Sequence, residues 1–188
     1  MKRATLILAV VALMLGGVRQ AKAGLIGTTV DTKFYVPNLN TLYQDFGKQT
    51  VNPTAFFSLF IGETTTITDT QIIYTSPPSS GTYLTAPFNG YVYDFIDSGN
   101  LIKSVSVDPS STLSGFSPSE VTLTSDGAGG QLVELNLGQG LSFSPGASVV
   151  LDVNTNAVST PEPSTLTLLG IGSLGLLGYG WRRRRQNA

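Results

Sequence analysis

The chain has 188 residues, no cysteine, no histidine and a formal net charge of −1 at pH 7. Lacking both residue types, it can form no disulfide staple, no Ser-His-Asp or Cys-His nucleophile system and no zinc site of the usual ligand set. The near-neutral total hides segregation. Between positions 24 and 160 the only cations are Lys33, Lys48 and Lys103 against eleven carboxylates, a net of −8, so nucleic acid is disfavoured as a partner because phosphate contacts need clustered Lys and Arg.

Met1, Lys2 and Arg3 make a cationic start, residues 4–18 are apolar, and Ala21-Lys22-Ala23 is a small-x-small triplet ahead of Gly24. That order predicts a secretory signal peptide over residues 1–23, taken by the Sec translocon and cut by signal peptidase at the signal formed by Ala21 and Ala23. The apolar stretch is shorter than the roughly 20 residues that a spanning helix needs.

Residues 24–157 read as a β-rich ectodomain. Over Ile26–Val36 the positions alternate: Ile26, Thr28, Val30, Thr32, Phe34 and Val36 share one face, while Asp31 and Lys33 fall on the other. This period of two predicts a half-buried strand ending at Pro37-Asn38. Further strands are expected at 56–61, 66–74, 91–96, 101–107, 120–124, 131–137 and 147–153. They are separated by turn residues such as Pro77-Pro78, Asn89-Gly90, Asp108-Pro109, Asp126-Gly127 and Pro145-Gly146. The stretch 39–49 is the exception, because Leu39, Leu42, Tyr43 and Phe46 have helical spacing and predict a short helix. The expected fold is all-β, an antiparallel β-sandwich or jelly-roll-like ectodomain.

Three groupings within this region invite a functional reading. Asp94, Asp97, Ser98 and Asn100 offer oxygen ligands of the kind calcium takes, but their spacing is not that of an EF-hand loop and turns use the same residues; Asp94 and Asp97 are weak metal candidates. Tyr91, Tyr93 and Phe95 line one side of a strand, where they could stack on a sugar or equally pack a core; Tyr91 and Tyr93 are weak ligand-binding candidates. Asp94 with Asp97, or Glu120 with Glu134, could act as a glycosidase pair, although spacing in sequence does not set carboxyl separation. Asp126-Gly127-Ala128-Gly129-Gly130 has neither the lysine nor the following helix of a phosphate loop and reads as a hairpin turn. Nothing calls for a cofactor.

The chain closes with a linker at 158–163 containing Pro161, Glu162 and Pro163, an uncharged apolar stretch at 164–181, and a basic tail at 182–188 led by Arg182, Arg183, Arg184 and Arg185. As a helix, residues 164–181 would span about 27 Å, close to the ~30 Å hydrocarbon core of a bilayer. Tyr179 and Trp181 fall at the interface, and the four arginines hold that end in the cytoplasm as a membrane stop. A single transmembrane helix is therefore expected, with residues 24–157 outside the cytoplasm. Two prolines flanking one carboxylate can join neither a sheet nor the body of a helix, so the triplet is an extended, exposed segment that a processing enzyme can grip.

Pro161-Glu162-Pro163-Ser164-Thr165-Leu166, the Gly/Leu-rich span and the Arg cluster together resemble the PEP-CTERM sorting domain. Thr160 departs from the apolar residue often found before the triplet. The resemblance implies exosortase as the processing partner, with the triplet as the sorting and processing motif. It further implies a transient inner-membrane precursor and release to the cell surface or extracellular matrix of a Gram-negative bacterium. The expected product is a non-enzymatic exported surface or matrix protein. The alternatives are a carbohydrate-binding module for exopolysaccharide and, less favoured, a small carboxylate-dependent glycoside hydrolase.

Overall fold

A computed structural model describes residues 24–96, 98, 101–156 and 172. The expected signal peptide, linker and basic tail lie outside the described residues, as does the expected transmembrane helix apart from Gly172. Among the described residues no helix is long and apolar enough to cross a membrane.

Among the described residues twelve strands form in chain order: β1 (Thr29–Tyr35), β2 (Leu42–Thr50), β3 (Ala55–Ser58), β4 (Thr64–Ile67), β5 (Gln71–Thr75), β6 (Gly81–Thr82), β7 (Gly90–Ile96), β8 (Ile102–Val107), β9 (Val121–Ser125), β10 (Gln131–Asn136), β11 (Ser142–Phe143) and β12 (Ser148–Thr155). They build two five-stranded sheets, β2-β1-β7-β10-β9 and β3-β4-β5-β12-β8, with β6 and β11 paired separately. Every pairing is antiparallel. The fold is an all-β antiparallel sandwich.

Register explains the core. In the first sheet Val30 lies opposite Phe95, Thr32 opposite Tyr93 and Phe34 opposite Tyr91, while β10 sets Val133 beside Tyr93 and Leu135 beside Tyr91. In the second, Thr65 and Val149 flank Tyr74, and Ile67 and Leu151 flank Ile72. Because side chains alternate across a strand, these rows all point into the space between the sheets, where they form one apolar cluster.

Three expectations are corrected. Residues 42–50 form strand β2, not a helix. Two register irregularities in the β1–β2 pairing, between Asp31 and Lys33 and between Phe34 and Tyr35, shift the alternation. Tyr43 and Phe46, three residues apart, consequently both pack on Phe60, with ring centroids 5.6 and 5.2 Å away. A bulged strand thus imitates helical spacing. The single strand expected at 66–74 is a hairpin: Thr68 N–H donates to the Gln71 carbonyl at 2.9 Å and the Thr68 hydroxyl accepts from Gln71 N–H at 3.1 Å, closing a turn through Asp69 and Thr70. The strand expected at 56–61 stops at Ser58 and passes into a 3-10 turn at Phe60–Gly62.

The two ends of the sandwich differ. Leu25 N–H donates to the Asp69 carbonyl at 2.8 Å and Asn156 N–H to the Leu101 carbonyl at 2.7 Å, so the strand body begins and finishes at the end that carries the connections 51–54, 68–70 and 126–130. We call this the terminal end. The connections 36–41, 59–63, 76–89, 108–120 and 137–147 lie at the far end.

Candidate functional site

The described polar chemistry inside the sandwich centres on Glu63, at the foot of the 59–63 connection. Leu59 N–H donates to the Glu63 carbonyl at 2.8 Å and Glu63 N–H to the Phe60 carbonyl at 2.7 Å, a short loop that turns the side chain inward. The Tyr74 hydroxyl donates to Glu63 Oε1 at 2.7 Å and the Tyr91 hydroxyl to Oε2. The Tyr83 hydroxyl lies 2.7 Å from that of Tyr74, and Tyr93 bonds Thr65 at 2.9 Å. Aromatic rings close the group in: Tyr74 and Tyr91 are 5.4 Å apart, and Phe34 is 5.0 Å from Tyr91.

No cation faces Glu63 among the described residues, whose ion pairs are those of Lys33 with Asp31 and Asp94. Burial pushes the Glu63 carboxyl above the usual carboxylate range, and the Tyr91 and Tyr74 hydrogen bonds pull it only part of the way back. Burial, followed by the Glu63 charge, pushes the hydroxyls of Tyr74 and Tyr91 far up as well. Sequence reasoning missed Glu63. Its only sign was a single carboxylate one glycine after the apolar Leu59-Phe60-Ile61 run.

The loop above Glu63 is strained. Ile61 has φ 48° and ψ 32°, the left-handed region, which a β-branched side chain rarely enters. Gly62 follows at φ 84°, where an added Cβ would lie 2.9 Å from Pro78 Cδ.

On the outer face of the first sheet Asp31 and Asp94 stand directly opposite each other. Lys33 Nζ lies 2.9 Å from Asp31 Oδ2 and 4.0 Å from Asp94 Oδ2, so one ammonium separates two carboxylates. Burial lowers the Lys33 pKa, but the Asp31 hydrogen bond and charge outweigh it and the net shift is upward. Asp94 is also raised, by burial ahead of the opposing pull of Lys33. Asp31, expected on the wet face, is almost fully buried.

The sequence candidates fall as follows. Tyr91 and Tyr93 are fully buried between the sheets, with their hydroxyls turned to Glu63 and Thr65, and present no ring face at the surface. Asp94 belongs to the Lys33 group, and Asp97 lies outside the described residues. Glu134 sits on β10, its carboxyl raised by burial, with Thr124 3.5 Å away; Glu120 ends the 3-10 turn at Pro118–Glu120. Asp126 closes the β9–β10 hairpin by accepting from the N–H groups of Ala128 and Gly130, both at 2.7 Å. Those backbone bonds hold its carboxyl below the usual range. Among the described residues no group of three or more acidic side chains is placed to hold a metal ion. Ala21, Ala23, Pro161, Glu162, Pro163 and Arg182 to Arg185 lie outside the described residues.

The body is thus an antiparallel sandwich with a knotted polar interior, and the class of the protein is decided by its tail. Residues 159–185 match the model of the PEP-CTERM protein-sorting motif. The motif marks an exported bacterial protein and implies exosortase as its processing partner. No curated protein and no solved structure matches the chain.

Proposed function

We propose that this is a non-enzymatic surface or matrix protein. It is exported through the Sec translocon, freed of residues 1–23 by signal peptidase, and held in the inner membrane of a Gram-negative bacterium by residues 164–181. Exosortase then acts near Pro161-Glu162-Pro163 and releases the β-sandwich to the cell surface or the extracellular matrix. The observation that carries this reading is the match at residues 159–185. In support, Pro-Glu-Pro, an uncharged apolar stretch and four arginines follow one another in the order that the positive-inside rule requires of a span whose C-terminus stays in the cytoplasm. A non-enzymatic role is supported by the placement of Glu63, whose two carboxylate oxygens are already engaged by tyrosine hydroxyls inside the core. Intact-mass analysis of the protein recovered from the cell surface or medium tests the reading, because it reports both termini at once. A product starting near Gly24 and ending near the triplet is expected. Recovery of the unprocessed chain from the cytosol would overturn it.

A further inference from the structure

At the far end of the sandwich the chain passes from water to a buried carboxyl within two residues. Ile61 is 85 % exposed and Gly62 is exposed, while Glu63 is buried. Two opposing influences act on this 59–63 connection. Phe60 holds it down, its ring centroid lying 5.2 Å from those of Phe34 and Phe46 and 5.6 Å from that of Tyr43. The backbone bonds from Leu59 N–H to Glu63 and from Glu63 N–H to Phe60 close it. Against them stands Ile61, β-branched and left-handed at φ 48°, so lifting the connection releases backbone strain.

Beneath the connection the hydroxyls take their direction from the proton on Glu63, because each tyrosine has a single O–H to donate. With Glu63 ionised, Tyr91 and Tyr74 both donate to it and Tyr74 accepts from Tyr83, so three donors are ordered by one charge. With Glu63 protonated, its own O–H can donate to Tyr74, which then turns to Tyr83. The titratable groups facing Glu63 are Tyr74 from β5, Tyr83 from the 76–89 connection, and Tyr91 with Tyr93 behind it from β7. From β1, β2 and β4 come Phe34, Phe46 and Thr65, none of which titrates. The neutral form thus keeps its hydrogen bonds without a buried charge. The ionised form keeps them around a charge that burial disfavours more than the two tyrosine bonds favour it.

We infer that Glu63 is a pH-operated latch on the 59–63 connection, which stays shut while the carboxyl holds its proton and lifts to admit water when it ionises. Lifting hydrates the charge and relaxes Ile61. It gives up the ring contacts of Phe60 and two backbone bonds, and leaves both sheets paired. The shut form binds the proton more tightly, so lifting becomes easier as pH rises from the carboxyl's open-state pKa through its shut-state one. The latch is a property of the sandwich and does not rest on the sorting signal. It differs from a loss of global stability because the opening is confined to one connection.

Hydrogen exchange measured by NMR on the protein recovered from the cells that export it, from acid to mildly alkaline pH and with intrinsic rates divided out, tests the latch. The Leu59 and Glu63 N–H groups close the connection and report its lifting. At every pH they should be at least about tenfold less protected than the strand amides of β10 and β12, and their protection should fall at least about fivefold as pH rises. In Glu63→Gln the same two amides should stay within about twofold across the series. Ile61→Gly, a change at an exposed position that removes the left-handed strain, should raise their protection at least about threefold at every pH. This second variant decides the matter should the first fail to fold by circular dichroism. If the two amides exchange together with the strands, only global unfolding opens them and the latch is overturned. An equal fall in the parent and Glu63→Gln overturns it too, as does the absence of any gain in Ile61→Gly.

Discussion

Gln131 of β10 holds Ile102 of β8 as a strand neighbour would: its Nε2 donates to the Ile102 carbonyl at 2.8 Å and its Oε1 accepts from the Ile102 N–H at 2.7 Å. The two residues belong to different sheets, so a side-chain amide ties the sheets together near the β8 edge of the sandwich. Gln49 of β2 does the same at the other edge, donating to the Phe56 carbonyl at 2.6 Å and accepting from its N–H at 3.0 Å. The pairs differ in burial, Gln131 and Ile102 being buried, Gln49 half-buried and Phe56 exposed. Gln131→Ala strands two buried backbone groups and should lower stability by about 2–4 kcal/mol, whereas Gln49→Ala leaves its two to water and should cost under about 1 kcal/mol. Urea unfolding of both variants checks this, and equal losses would contradict it.

Glu63 should make stability depend on pH. Its folded pKa lies above its unfolded value, so the native state holds this proton more tightly. The contribution is fully present below the unfolded pKa and is lost as pH rises through the folded pKa. Glu63→Gln removes the titrating group while keeping an acceptor for a tyrosine hydroxyl, and should flatten the fall in stability across that window. Glu63→Ala orphans the hydroxyls of Tyr74 and Tyr91 and should cost about 2–5 kcal/mol. Chemical denaturation at a series of pH values from acid to neutral distinguishes the three proteins.

Lys33→Met keeps the stem and removes the ammonium between Asp31 and Asp94. Two facing carboxylates, one of them buried, then lack their cation, and a loss of about 2–4 kcal/mol is expected at neutral pH. Losing Lys33 also raises the Asp94 carboxyl further above its already elevated position, so the deficit should shrink as pH falls and Asp94 takes up its proton. A deficit of the same size at neutral and mildly acidic pH would show that the stem, not the charge, matters.

Under the proposed function, Glu162→Ala should leave membrane insertion intact and prevent release of the ectodomain, because that reading assigns the carboxylate to the processing triplet and not to the span. Replacing Arg182 to Arg185 by alanine should impair membrane stopping, since the positive end then has less to hold it in the cytoplasm. Cell fractionation with immunoblotting separates the two effects. Equal ectodomain release from the Glu162 variant and the parent would count against the assigned role.

Sequence by itself determined the sorting class and the fold class of this protein, because both rest on local order. A triplet, an uncharged run and an arginine cluster are recognisable without knowing where anything else lies, and the alternation of Val30, Thr32 and Phe34 or of Tyr91, Tyr93 and Phe95 needs only the two-residue period of a strand. Tertiary structure decided the rest. Only the pairing of β1 with β2 shows that bulges turn the spacing of Tyr43 and Phe46 into a strand pattern that looks helical. Likewise, only the folded chain brings Glu63 to Tyr74 and Tyr91, 11 and 28 residues away. The physical reason is that hydrogen bonds, charge and burial act through space, and a sandwich joins segments that the chain itself keeps far apart.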